Sequence, residues 1–135
     1  MEVPIDHPRD HLEESMHFLM INVLVDSFEV EGFTVSADHI GGARSRPSPI
    51  GEYIPDIEAT RADERYLIEV ETQSTLESDR TIEQMKILAG QQGARRFVAV
   101  PCDCVEVARK VREGLEDDVG ILPCYPFVRY VGIPK

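Results

Sequence analysis

The sequence predicts an α/β domain, a central mixed sheet flanked by helices. The order is helix, three strands, helix, strand, helix, and one or two short strands. Three observations carry this. Apolar residues recur at helical three- and four-residue steps in some segments and at every second position in others. Residues 96–101 hold a continuous apolar run closed by Pro101, which suits a strand buried on both faces. The chain of 135 residues suits one domain, 1–135, with a core of its own.

Residues 1–9 contain Pro4 and Pro8 and read as an irregular lead-in. Asp10 as N-cap with Glu13 three residues on resembles a capping box. From there Leu12, Met16, Leu19, Met20, Val23 and Leu24 give a helical stripe, so a helix is expected over 10–29, ending near Gly32. Phe33, Val35 and Ala37 alternate with Thr34 and Ser36, predicting a first strand over 33–37. Residues 38–51 are rich in Gly, Pro and Ser and predict a mobile surface loop. The second and third strands are expected over 52–60 and 65–72. Ser78 or Asp79 can cap the next helix, whose stripe is Ile82, Met85, Leu88 and Ala89, with Gly90 and Gly93 stopping it near residue 92. After the 96–101 strand, Val105, Ala108, Val111 and Leu115 mark a further helix with Asp103 as N-cap. Segments 119–122 and 127–131 read as a final strand or hairpin around Pro123 and Pro126.

Composition narrows the function classes. Twenty-five acids against fourteen Lys and Arg give a formal charge of −11, which argues against broad, non-specific DNA binding. No apolar run spans a bilayer, and the first residues lack the basic start and apolar core of a signal peptide. A cytoplasmic location without a membrane partner is expected. Cys102, Cys104 and Cys124 are then expected as free thiols, because three thiols without a nearby fourth ligand do not make a zinc site. The four histidines show no common spacing. No Gly-rich phosphate loop and no serine nucleophile elbow is present.

The informative stretch is Ile54, Pro55, Asp56, Ile57, Glu58, followed by Leu67, Ile68, Glu69, Val70, Glu71. A strand sends residues i and i+2 to one face. Asp56 and Glu58 therefore share a side of one strand, and Glu69 and Glu71 a side of the next. Paired as a hairpin, they would bring up to four carboxylates together, and such a set resists ionisation unless a cation neutralises it. The competing reading is a solvated sheet face, although like charges at cross-strand positions repel. Taken alone, Glu58 reads as a solvent residue.

The Pro-Asp on the second strand, the Glu-x-Glu on the third and the element order around them resemble the PD-(D/E)XK nuclease superfamily, over roughly residues 10 to 101. The resemblance implies a restriction-endonuclease-like αβββαβ core with an extra C-terminal helix and short strands. It implies Asp56 and Glu69 as ligands of Mg2+ or Mn2+, with the Val70 carbonyl as a further ligand. It also implies a helical Gln near the site, matched by Gln84, and in some branches a Glu on the first helix, matched by Glu13 or Glu14. The activity implied is metal-dependent hydrolysis of DNA phosphodiesters by a homodimer. Arg44, Arg46 and Arg61 lie near the acidic motif in sequence and are the candidates for holding substrate phosphates. Where the family carries Lys after the second acid, this chain has Glu71. Lys86 and Arg61 are weak substitutes, and Glu71 as general base is the reading that keeps activity. The alternative is a nuclease fold that no longer cleaves and serves as a binding or assembly module.

Overall fold

The computed structural model describes residues 11–38, 45–115, 119–125 and 128–134. Helix α1 spans His11–Val30, followed by strands β1, Thr34–Ala37, β2, Ile57–Arg61, and β3, Glu64–Val70. Helix α2 is Asp79–Ala89 and strand β4 is Arg95–Pro101. A 3-10 turn, Cys102–Cys104, leads into α3, Val105–Arg112, and β5 is Gly120–Cys124. The five strands form one mixed sheet in the order β1-β2-β3-β4-β5. The first three pair antiparallel, and β3 to β4 and β4 to β5 pair parallel, with α2 and α3 as the crossovers.

Both faces of the sheet are covered, which is why β3 and β4 read as continuous apolar runs. On one face Ile57, Ala59, Ile68, Val70, Ala99 and Leu122 pack under Met20, Leu24 and Phe28 of α1. On the other, Leu67, Val98 and Val100 meet Met85 and Leu88 of α2 and Ala108 of α3. At the starts of β3 and β4 the Tyr66 ring contacts Phe28, Phe33 and Phe97, with centroids 5.2, 5.3 and 6.0 Å away. Gly120 faces Phe97 across the β4–β5 pair, and a Cβ there would lie 2.5 Å from two ring carbons.

Several boundaries differ from the sequence expectation. The proposed cap Asp10 and the segment 39–44 lie outside the described residues. Strand β2 starts at Ile57 rather than 52, because Ile50 and Tyr53 bond each other across a turn held by Gly51 at φ 63°. Strand β3 stops at Val70 because Thr72 turns the chain: its carbonyl accepts from the Thr75 and Leu76 amides. Of the two candidate caps, Ser78 is the one whose side chain accepts from the Thr81 amide. Asp103 does not cap α3. It sits inside the 3-10 turn, and Cys104 holds the cap position without a side-chain bond. Of the final strand or hairpin expected over 119–122 and 127–131, the described residues form the strand, β5, and no hairpin. Strand β5 lies parallel to β4 on the sheet edge, where Pro123 costs no central ladder bond. The segment after it crosses α1 instead: the Val131 amide donates to Ser27 Oγ and Ile133 is buried. Cys102, Cys104 and Cys124 are free thiols. No helix among the described residues is long and apolar enough to cross a membrane.

Candidate acidic site at the strand ends

The hairpin brings the acids together by register. Ile57 pairs with Ile68, so Asp56 and Glu69 continue the ladder one step further. Alternation puts Glu69 and Glu71 on the face of Leu67, toward α2, while Ile68 and Val70 face α1. Asp56, Glu69 and Glu71 are 4, 5 and 3% exposed, so all three carboxyls leave bulk water behind.

Each has a specific partner. The Val70 amide donates to Asp56 Oδ2 at 2.7 Å, and His17 Nε2 lies 3.6 Å from the same oxygen. The Tyr53 hydroxyl donates to Glu69 Oε2. The Thr75 hydroxyl donates to Glu71 Oε2 at 2.9 Å. Burial pushes the Asp56 carboxyl up, but the adjacent His17 imidazole, the Val70 amide and a hydrogen bond with Glu69 outweigh it. Asp56 ends below its ordinary value. Burial pushes Glu69 well up, reinforced by the Asp56 and Glu71 charges and opposed by the Tyr53 hydrogen bond. As pH rises the pair therefore gives up its protons in turn, Asp56 first, with Glu69 holding its own to higher pH. Burial, with the Glu69 carboxyl next to it, also pushes the Tyr53 phenol up, so it stays a donor.

These acids line a cavity of about 510 Å³ between α1, the 52–56 segment and the start of α2. Asp56, Glu69, Glu71 and Gln84, all expected from sequence, line it together. Of the two candidate glutamates on α1, Glu14 lines the cavity, while Glu13 accepts from the Ser74 amide at 3.0 Å. Val70 contributes its amide to Asp56. Because the Glu71 amide bonds Ala99 of β4, the neighbouring Val70 main chain faces β2. Glu58 does not line the cavity. It accepts from Arg65 at 2.8 Å and from the Ser48 amide at 2.9 Å.

The arginines expected to hold substrate phosphates are not gathered there among the described residues. Arg61 stands at the opposite end of β2, paired with Glu64 at 3.0 Å and stacked over Phe33. Arg46 pairs with Asp38, a residue of the cavity wall, at 3.2 Å. Arg44 lies outside the described residues. Lys86 is exposed and paired with Glu83.

Among the cavity residues that were not foreseen are His17, Tyr53, Glu52 and Arg80. His17 follows Glu14 by three residues, a spacing that places both on one helical face. A signal was therefore present for that pair, but none marked Tyr53, Glu52 or Arg80.

The donor chemistry fits a hard divalent cation: carboxylate oxygens crowded enough that one retains a proton. The donors are not gathered into a cage. Among the described residues no three His, Cys, Asp or Glu side chains are arranged to hold a metal ion. Binding there requires Glu69 to lose its proton and Tyr53 to yield its hold on Oε2. No protein-family model matches this chain, and no curated protein or solved structure matches it.

Proposed function

We propose that this protein is a divalent-cation-dependent DNA phosphodiester hydrolase of the PD-(D/E)XK nuclease type, using Mg2+ or Mn2+. The observation that carries the reading is the convergence of Asp56, Glu69, Glu71 and Gln84 on one cavity at the strand ends. The order helix, three strands, helix, strand, with the first three strands antiparallel and the fourth parallel, supports it.

In this reading Asp56 and Glu69 hold the cation, with the Val70 main chain facing them. The chemistry a bound cation supplies is Lewis acidity toward the phosphate and the attacking water. Asp56 is already ionised and fixed by the Val70 amide. Glu71, steadied by Thr75, accepts the proton of the water as its oxygen attacks phosphorus. The P–O bond to the leaving strand breaks, and the leaving oxygen takes a proton from solvent. Gln84, half-buried on α2, orients the phosphate or the water.

A second reading, a nuclease fold that binds without cleaving, is favoured by a different observation. Glu14, Asp38 and Glu52 also line the cavity, and Arg80 is the one Lys or Arg among the described residues that does. That lining is acidic where a DNA-binding groove is basic, and Glu71 stands in place of the family's Lys.

The test has two stages. Mg2+ or Mn2+ should raise the melting temperature, and Asp56→Ala should abolish the rise. Linear, branched and single-stranded DNA are then offered with Mn2+. Cleavage lost in Glu69→Ala supports the hydrolase, whereas a cation-induced shift without cleavage of any form leaves the binding module.

A further inference from the structure

Among the described residues, other Lys and Arg side chains already hold partners. Arg46 pairs with Asp38, Arg65 with Glu58, Lys86 with Glu83 and Arg61 with Glu64. Arg95 and Arg96 donate to carbonyls, of Pro134 and Ala89. Arg80 differs. It sits in the first turn of α2, is exposed, lines the cavity and makes no hydrogen bond or ion pair with the described residues. The N-terminal turn that carries it also contributes Ser78 and Thr81 to the same wall, so the positive end of the helix dipole faces the same space.

We infer that the substrate at this site is short, a single-stranded phosphodiester of one or two nucleotides at a time, whose phosphate is gripped by Arg80. This rests on the hydrolase reading above and narrows it. A protein that grips a long duplex through its charge neutralises several phosphates with Lys and Arg, roughly six to ten in a tight binder. The cavity wall offers one. Glu14 and Glu52 would repel a backbone continuing along the surface. A cavity of about 510 Å³ suits a ligand of small-molecule size. Arg matches a phosphate with two parallel N–H donors, so one residue suffices to orient one phosphate.

The experiment uses the full chain with saturating Mn2+. A thymidine dinucleotide and a long duplex are titrated calorimetrically, with intact ligand and any product followed by chromatography. The dinucleotide should bind, with a log–log salt slope of about −0.7 per phosphate. The long duplex should bind no tighter. Arg80→Ala should weaken dinucleotide binding about tenfold or more, and Arg80→Lys should restore part of it. Arg80 is exposed, so both variants should keep the wild-type melting temperature and the Mn2+-induced rise. Tighter binding of the duplex with a steep salt slope, no binding of the dinucleotide, or an Arg80→Ala variant equal to wild type would overturn the inference while leaving the cation site standing. Loss of the Mn2+-induced rise in wild type would instead remove the hydrolase reading, and this inference with it.

Discussion

Replacing Glu69 by Gln should stabilise the cation-free protein and remove its response to cations. Glu69 is 5% exposed and holds its proton to higher pH than Asp56 does. Its ordinary value is 4.5 and its folded value lies well above that. Between the two, the folded chain binds more protons than the unfolded one. The Glu69 contribution is therefore most favourable below the ordinary value and is lost as pH rises through the folded value. Gln copies the protonated acid: its carbonyl still accepts from Tyr53, and its amide still donates to Asp56. At about pH 8 in chelator, the variant escapes the cost of ionising a buried acid beside two others. Relief of functional-site strain of this kind is worth about 1–2 kcal/mol. For a chain of this size that corresponds to a rise of about 4–8 °C in melting temperature. Calorimetric or circular-dichroism melts across pH, with and without Mn2+, measure both effects. The wild type should lose stability with rising pH in chelator and regain it with Mn2+, by about 2.7 kcal/mol at a hundredfold excess over Kd. The variant should do neither. A Glu69→Gln protein less stable than wild type at about pH 8 without cation would refute the argument that Glu69 holds its proton to higher pH.

Three other substitutions probe the frame around this site. His17→Ala removes the imidazole 3.6 Å from the buried Asp56 and should cost about 1–3 kcal/mol, the penalty of leaving a buried acceptor short of a partner. Asp56, held below its ordinary value, contributes stability that is lost as pH falls through its folded value. Acid unfolding of the His17→Ala variant should therefore begin at higher pH than in wild type. Gly120→Ala forces a methyl against the Phe97 ring and should cost about 1–3 kcal/mol, read as a lower urea midpoint at unchanged slope. Ser78→Ala removes the acceptor for the Thr81 amide and should cost about 1 kcal/mol in the same assay.

Helical and strand periods, together with the continuous apolar run of β4, made the element order legible, because the sheet is covered on both faces. Strand parity and hairpin pairing likewise made Asp56, Glu69 and Glu71 legible as one set. What stayed hidden depends on contacts between distant segments. Arg61 is close to Asp56 in sequence, but a strand carries it to the far end of the hairpin. Arg80 is far from Asp56 in sequence and is returned to the cavity by the crossover after β3. Glu58 obeys the same parity as Asp56, yet Arg65 on the neighbouring strand claims it, and nothing in its own segment marks that. The C-terminal segment looked like a strand by its alternation, but its Val131 and Ile133 serve the cluster under α1.

Strand β3 is held at one end and loaded at the other. At Tyr66 it is clamped by three rings and by the Arg95 guanidinium, and the Tyr66 hydroxyl reaches the Pro134 carbonyl. About 10 Å further on, it carries Glu69, and then Glu71, into the crowded acid cluster. It is built as a cantilever: the contacts that anchor the root are separate from those that hold the acids at the tip. Charge at the tip can therefore be changed, by substitution or by a cation, without loosening the root. A change at the root is felt at the tip through the register of the whole strand.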